Sequence, residues 1–277
     1  MKEVKADLHL HSEQSDGSLS PSNVVQLAWE AELDLIALTD HDTVGGVKEA
    51  VERGKELGGI TVLAGIELSS YDREDVHILG YNVPYLDEKF LRAVEDTQGM
   101  RYDRYRLTTE KLNKIGIDVT MQDAENEAKG DVVGRVHMAR VIVKKGYCSD
   151  MVETIEKYLL PGCPTYVGER SATPVEAVKL IRDFGGVAAL AHPHRFFRPF
   201  FETEALVFEL KRAGLQGIES EYFSHAKEQR DRFRALAKKY SLINTGGSDF
   251  HCTYYGRLNK YFAPDSETLR VLGVVEE

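Results

Sequence analysis

Apolar and polar residues alternate strictly along residues 6–11, which predicts a β-strand close to the start of the chain. Successive side chains of a strand point to opposite faces, so Asp7, His9 and His11 share one face and the apolar residues share the other. Same-face neighbours lie roughly 6.5–7 Å apart, about twice the rise per residue, and two such imidazoles can reach one cation. The alternation fits either a metal site or a strand whose polar face is in solvent.

Six further segments of strand length follow, and most are nearly continuous apolar runs, which is typical of strands buried on both faces. They cover residues 33–42, 60–67, 75–81, 187–194, 217–223 and 242–251. Apolar residues that recur every three or four positions predict helices near residues 21–31, 43–57, 174–184, 202–213 and 226–240. Strands that alternate with helices indicate an α/β fold with a mostly parallel sheet covered by helices.

The alternation stops at about residue 87 and resumes after residue 158. Helical periodicity replaces it at residues 91–115, 122–129 and 135–145. We therefore expect one domain built from residues 1–94 and 160–277, interrupted by a helical insertion at residues 95–159. Such insertions often cover an active site and set its specificity, although a solvent-facing accessory bundle is the alternative.

Composition narrows the classes of partner. The chain of 277 residues has 35 basic and 45 acidic side chains, a net charge of −10, which argues against wrapping of duplex DNA by a basic surface. An anionic substrate would need local positive charge from metal ions or a few arginines. The cysteines, at 148, 163 and 252, form neither a zinc motif nor a disulfide framework. With no signal region and no run of 18 apolar residues, we expect a cytoplasmic protein without a membrane partner.

Imidazoles and carboxylates recur at the predicted C-terminal ends of strands. They are His11, Asp16, His41, Glu67, His192, His194, Asp249 and His251. In a closed βα barrel these ends meet on one face, where active sites form. A single histidine there is usually a hydrogen-bonded core residue, but recurrence at strand after strand favours a metal site. About nine nitrogen and oxygen donors with no cysteine among them favour Zn, Mn or Fe, and suit two or three ions.

Several of these segments resemble the four motifs of the PHP (polymerase and histidinol phosphatase) family. They are Asp7-Leu8-His9-Leu10-His11, Thr39-Asp40-His41-Asp42-Thr43, Gly65-Ile66-Glu67, Ala191-His192-Pro193 and Gly247-Ser248-Asp249-Phe250-His251. The resemblance implies a distorted (β/α)7 barrel with a trinuclear metal centre and a helical insertion. It extends over about residues 1–94 and 160–265.

Positions in these motifs imply a ligand set for two to three divalent ions, which would be Mn, Fe or Zn. A first ion would bind His9, His11, Glu67 and Asp249. Glu67 would bridge to a second ion, whose other ligands would be His77 and His192. A third ion would bind Asp16, His41 and His251. Oligomeric state is not indicated by any of these motifs.

The middle segment is similar to stand-alone members that hydrolyse nucleoside 3′,5′-bisphosphates and the 5′ ends of short RNA. Residues 134–140, 145–147, 158–159 and 164–167 carry this similarity. Two positions depart from it, because Val136 stands where the relatives have proline and Cys252 stands where they have glycine. Neither is an implied ligand, so the departures affect the expected substrate more than the expected chemistry.

The implied reaction is phosphomonoester hydrolysis by a metal-bridged hydroxide, with a nucleotide or a short RNA 5′ end as substrate. Arg135 and His137, near the start of a predicted helix, are candidates for gripping a second phosphate. His194 is a candidate to protonate the leaving alkoxide or to bind phosphate. The alternative is that it supports a metal ligand and does not contact the substrate. Tyr222 is a candidate to stack a base, or else closes the barrel.

Three other functions are compatible with this pattern. The first is a phosphatase for histidinol phosphate or another small phosphomonoester, against which the helical insertion argues. The second is a non-catalytic metal-binding accessory module, against which the full set of donors argues. The third is C–N bond hydrolysis as in metal-dependent amidohydrolases, whose carboxylated lysine has no obvious counterpart in the sequence.

Overall fold

A seven-stranded sheet forms the centre of the protein. The computed structural model describes residues 3–130, 132–168, 171–251, 258 and 260–275, so Cys252 lies outside the described residues. The strands, in their order across the sheet, are β1 (Ala6–Leu10), β2 (Leu35–Leu38), β3 (Thr61–Tyr71), β4 (Asp75–Tyr81), β5 (Val187–Leu190), β6 (Gly217–Glu219) and β7 (Ile243–Thr245). This confirms the α/β class that the alternating pattern predicts.

Strand β4 is the exception to parallel pairing. The pairs β1–β2, β2–β3, β5–β6 and β6–β7 are parallel, whereas β4 is antiparallel to both β3 and β5. The cause is the short connection at residues 72–74, because so few residues can join antiparallel strands only. Strand β4 therefore begins at the edge of the sheet where β3 ends, and it runs in the opposite direction to β3 and β5.

The first strand also pairs with the chain segment that follows the last one. The backbone N–H of Leu8 donates to the Gly246 carbonyl at 3.0 Å, and that of His11 donates to the Phe250 carbonyl at 2.9 Å. These bonds bring the two ends of the sheet together, as in a distorted barrel. The ends of β1 and β7 consequently lie side by side, with His11 and Asp249 close together.

Helices cover the outside of the sheet. They are α1 (Pro21–Glu30), α2 (Val47–Leu57), α7 (Pro174–Asp183), α8 (Phe200–Ala213), α9 (Lys227–Lys239) and α10 (Ser266–Val271). Helix α7 shows why they start where they do: Thr173 and Glu176 form a reciprocal capping box, and Pro174 occupies the first turn. Its buried Val178 and Ile181 pack in one apolar cluster with Ile78 of β4.

A second group of helices separates β4 from β5. It contains α3 (Glu88–Lys114), α4 (Met121–Glu127), α5 (Arg135–Lys144), α6 (Met151–Thr154) and a π-helical turn (Ile155–Leu159). Helix α3 runs through Gly99 without interruption. Its first turns place Phe90 and Val94 in the barrel cluster, whereas Leu112 belongs to a separate cluster with Met138 of α5. Within the described residues, no helix is both long and apolar enough to cross a lipid bilayer.

Candidate metal centre

Imidazole and carboxylate side chains from several strands and from the segments that follow them converge at one face of the barrel. They form three overlapping groups, in each of which the ligand atoms all lie within 4.8 Å of one another. The groups are His9, His11, Glu67 and Asp249; His11, Asp16, His41 and His251; and His41, Glu67 and His77. The ninth predicted ligand, His192, places its Nε2 3.0 Å from Glu67 Oε1.

Strand geometry explains the convergence. His9 lies in β1 and His11 directly follows its last residue; the two are fully buried, and their spacing of two places them on the same side of the strand. Glu67 of β3 pairs with Leu79 of β4, and His77 pairs with the residue two positions after Glu67. Directly opposed and diagonal residues of an antiparallel pair share one face, which puts the His77 ring beside the Glu67 carboxylate.

Glu67 lies at the centre of the cluster. Its side chain is fully buried, and its two oxygens lie within 3.4 Å of five imidazole nitrogens. Oε2 faces His9, His11 and His41, and Oε1 faces His77 and His192. A carboxylate that has a separate group of imidazole nitrogens beside each of its two oxygens suits a bridge between two ions.

Two further carboxylates complete the groups. Asp249 Oδ1 lies 3.1 Å from His11 Nε2 and 3.5 Å from His9 Nε2. Asp16 Oδ1 lies 3.1 Å from His251 Nε2. Both aspartates are buried at the barrel face, so each can share an ion with the imidazoles around it.

Several candidate ligand atoms in this cluster are buried without a hydrogen-bond partner among the described residues. They are His9 Nε2, both ring nitrogens of His11, His41 Nδ1, Glu67 Oε2 and His192 Nδ1. Buried polar atoms are costly to leave unpaired, and native proteins rarely do so. Nitrogen and oxygen donors that point at one another across about 3 Å are satisfied together by cations. The residues present therefore fit divalent metal ions.

The charge state of the carboxylates agrees with cation binding. Burial acts to raise the pKa of Glu67, but the charges of His41, His9 and His77 outweigh it and hold that pKa well below its usual range. Burial likewise acts to raise the pKa of Asp249, and His9 and Arg195 together hold it well below its usual range. Both groups are ionised at neutral pH and are available as anionic ligands.

A cleft of about 1080 Å³ opens over the metal-side residues His41, His77, His192, Asp249 and His251. Its walls carry cations from the helices between β4 and β5, from the loop after β5 and from the chain after β7. They are Arg101, Arg104, Arg135, Arg140, Arg195 and Lys260. This local positive charge is what an anionic substrate of an acidic protein needs.

Arg135 lies in this cleft, but its guanidinium is already paired. Its Nη2 forms an ion pair with Asp75 Oδ2, while Arg104 Nη2 lies 2.9 Å from Asp75 Oδ1. The hydroxyl of Tyr166 also donates to Asp75 Oδ1, at 2.7 Å. The Arg135 side chain is 31% exposed and that of Arg104 is 8% exposed, so Arg135 is the more accessible of the two.

His137 has a different position from the one that the predicted phosphate clamp requires. Its Nδ1 accepts a hydrogen bond of 3.0 Å from the Gly134 N–H, which caps the N-terminus of α5. Burial lowers the pKa of His137 to about 4, so the ring is neutral at pH 7 and can accept this bond. His137 lines a smaller cavity beside Lys129, whereas Arg135 lines the large cleft.

The loop after β5 carries the remaining predicted residues. His194 is half-buried, and its Nδ1 lies 2.9 Å from His225 Nε2, while the lining of the cleft at this point comes from Arg195. Arg195 Nη1 lies 2.8 Å from Asp249 Oδ2, and Arg195 Nη2 donates to the Tyr222 hydroxyl at 2.6 Å. Tyr222 lines the cleft, and its hydroxyl donates to Asp249 at 3.2 Å.

Known proteins share the sequence that carries this site. The PHP domain profile matches residues 7–160. A 3′,5′-nucleoside bisphosphate phosphatase of Chromobacterium violaceum is 36% identical over 250 residues, which cover 88% of this chain and 86% of that protein. A 5′-3′ exoribonuclease of Haemophilus influenzae is 34% identical over 248 residues, which cover 89% and 90%. The chain belongs to the PHP family.

A solved structure shows the same PHP fold. It comes from Chromobacterium violaceum and is described as an amidohydrolase with bound sulfate and no metal. It is 32% identical to this chain, with a TM-score of 0.87 over 98% of this chain and 96% of that one. This agreement confirms the resemblance that the strand-end motifs indicated.

Glu219 and Arg101 are among the site residues of this PHP barrel that were missed from the sequence. Glu219 ends β6 and is fully buried, with its carboxylate against His9 and the backbone of His192. Arg101 of α3 donates from Nη1 to Asp42 at 2.8 Å and to Ser69 at 2.6 Å. Glu219 had a usable signal, since it is an acidic residue at a strand end, whereas Arg101 lies in a helix with many charges and had none.

Proposed function

We propose that this protein is a metal-dependent phosphoesterase that hydrolyses phosphomonoesters of nucleotides. The observation that carries the proposal is the set of buried, unpaired nitrogen and oxygen donors around Glu67. The relatives support the substrate class, since one is named a nucleoside bisphosphate phosphatase and another a 5′-3′ exoribonuclease. A nucleoside 3′,5′-bisphosphate or a 5′-phosphorylated short RNA is therefore the proposed substrate.

The nine predicted ligands would hold two or three divalent ions, with Mn, Fe and Zn as the candidates. His9, His11, Glu67 and Asp249 would hold the first, and Glu67 with His77 and His192 the second. Asp16, His41 and His251 would hold the third. When bound, such ions neutralise charge on a transferring phosphoryl group and activate the attacking water.

The chain's own cations would orient the substrate. Arg195 reaches from the loop after β5 to Asp249, so its guanidinium lies beside the phosphate position that the ligands define. Arg135 and Arg104 lie at the Asp75 side of the same cleft and would receive a second phosphate. Planar guanidinium groups bind phosphate oxygens two at a time, which a lysine cannot do.

The alternatives are weaker on the same residues. A C–N hydrolase that depends on a carboxylated lysine would use that lysine as a metal ligand, and none of the nine proposed ligand positions is a lysine. The cleft of about 1080 Å³ is slightly larger than the roughly 300–1000 Å³ of most small-ligand sites, so it has room for a nucleotide. The second group of cations, Arg104 and Arg135 at the Asp75 side of the cleft, favours a substrate with two phosphates over a small phosphomonoester.

An assay of released inorganic phosphate and of released 5′-mononucleotide tests the proposal, because hydrolysis of an RNA phosphodiester frees a nucleotide and no inorganic phosphate. The panel, with Mn²⁺, contains pAp, 5′-AMP, histidinol phosphate and a 5′-phosphorylated oligoribonucleotide, each with and without a chelator. We expect metal-dependent turnover of pAp or of the oligoribonucleotide to exceed that of histidinol phosphate by at least about tenfold. Faster turnover of histidinol phosphate would favour the small-molecule phosphatase, and metal binding without turnover of any substrate would favour an accessory module.

A further inference from the structure

Glu219 contacts two of the proposed metal ligands at once. Its Oε1 lies 3.1 Å from His9 Nδ1, and its Oε2 accepts the backbone N–H of His192 at 2.7 Å. The side chain is fully buried at the end of β6, between β5 and β7. Its two oxygens are thus committed to residues that the proposed centre assigns to different ions.

The first contact decides which nitrogen of His9 carries the proton. A carboxylate only accepts hydrogen bonds, so Glu219 requires His9 Nδ1 to be the N–H nitrogen. The proton-free nitrogen of the neutral ring is then Nε2, which lies 3.4 Å from Glu67 and 3.5 Å from Asp249 and has no hydrogen-bond partner in the described part of the chain. Nε2 is the atom that must carry a lone pair if His9 is to bind metal.

The second contact acts on backbone conformation. His192 has φ of 26° and ψ of 56°, a left-handed conformation that non-glycine residues adopt only at a cost. The bond from its N–H to Glu219 restrains the peptide immediately before this strained residue. The ring of His192 places Nε2 3.0 Å from Glu67. A restraint on the His192 backbone therefore also restrains the position of its ring.

We propose that Glu219 is a positioning residue of the metal centre. It fixes the tautomer of His9 and the strained backbone of His192, and thereby raises the affinity of the centre for two of its ions. The inference rests on the proposed function, because it needs the metal centre to exist. It goes beyond it, because Glu219 is not among the nine ligands.

The amide isostere cannot replace this carboxylate. A glutamine at 219 has one oxygen and one NH₂ group, and both partners, His9 Nδ1–H and His192 N–H, are donors. If the oxygen faces His192, the NH₂ group can bond only to a proton-free His9 Nδ1, which moves the ring proton to Nε2. If the oxygen faces His9, the NH₂ group opposes the His192 N–H and weakens the restraint on its backbone.

Zinc binding to the full chain tests the inference. We would compare the wild type, Glu219→Gln and a matched control, Glu221→Gln, whose carboxylate pairs with the half-exposed Arg234 instead of a ligand. Bound zinc per chain is measured after dialysis, and affinity is measured by competition with a chromophoric chelator. Loss of a partner behind a metal ligand typically weakens affinity 10- to 100-fold, which we expect for Glu219→Gln and not for Glu221→Gln.

The outcomes separate this inference from the proposal on which it rests. A wild type that binds no zinc overturns the proposed metal centre and this inference together. A zinc affinity that is equal in the wild type and Glu219→Gln overturns this inference alone. If Glu219→Gln does not fold, ¹H–¹⁵N spectra of the zinc-loaded wild type decide: a proton on His9 Nδ1 supports the inference, and a proton on Nε2 overturns it.

Discussion

Replacement of Arg135 by alanine should separate the two phosphate positions of the proposed substrate. The structure makes this perturbation clean, because Asp75 keeps Arg104 at 2.9 Å and the Tyr166 hydroxyl at 2.7 Å when Arg135 is removed. The Arg135 side chain lines the cleft and is 31% exposed, so its removal enlarges the cleft. None of the proposed metal ligands is touched, so the number of ions per chain should stay unchanged.

The magnitude follows from what one guanidinium contributes. A hydrogen bond to a charged group is worth about 1.5–3 kcal/mol, which is roughly 10- to 150-fold in kcat/KM. In the free protein Arg135 pairs with Asp75, and exchange of that pair for a phosphate reduces the net gain. We therefore expect the lower half of this range for pAp and less than about threefold for an aryl phosphate, which has no second phosphate.

The assay compares kcat/KM for pAp and for 4-nitrophenyl phosphate in the wild type, Arg135→Ala and Arg106→Ala. Arg106 is a matched control, since it is an arginine of α3 that is 44% exposed and whose ion pairs, among the described residues, are with Asp103 and Glu110 of its own helix. The reasoning is refuted if Arg135→Ala slows both substrates equally or slows neither. In that case the second phosphate is held elsewhere in the cleft.

Two further predictions concern the carboxylates. Asp75→Asn should lower the free energy of unfolding by about 3–5 kcal/mol, because it leaves the buried Arg104 unpaired, whereas Asp103→Asn on the exposed side of α3 should change it by less than about 1 kcal/mol in urea denaturation. Although burial acts to raise it, the pKa of Asp75 is held well below its usual range by Arg104 and Arg135, so this stabilisation is present at neutral pH and lost on acidification. Glu67→Gln should reduce bound manganese by more than one ion per chain in elemental analysis, and a loss of one ion or none would contradict its bridging position.

The fold and the grouping of the proposed ligands were predictable because both depend on local periodicity. Alternation along residues 6–11 already places His9 and His11 on one face, and the apolar run before His192 marks the end of β5. The predicted strand end at Glu67 was wrong, because β3 continues to Tyr71. Parallel strands then bring those ends together without any further information. The antiparallel direction of β4 was the part of the sheet that the pattern did not specify.

Partners far apart in the sequence were not predictable. The contact between His9 and Glu219 joins residues 210 positions apart, and no local pattern shows which acceptor a ring nitrogen meets. The sequence also did not show which cavity each helical side chain faces, since Arg135 and His137 are two residues apart and line different cavities. In the loop after β5, the sequence pointed to His194, whereas the cleft is lined by the next residue, Arg195. This difference of one residue follows from the geometry of the turn after β5.

The arginines of the cleft are anchored to carboxylates of the barrel, and this has a consequence for specificity. Arg101 pairs with Asp42 after β2, while Arg104 and Arg135 pair with Asp75 at the start of β4. The barrel thus supplies the proposed metal ligands and also the anions that aim the helical cations into the cleft. Arg195 pairs with the proposed ligand Asp249, but the carboxylates that anchor Arg101, Arg104 and Arg135 are not proposed ligands. Changes at Asp42 or Asp75 can therefore alter which anion binds while the metal ligands stay in place.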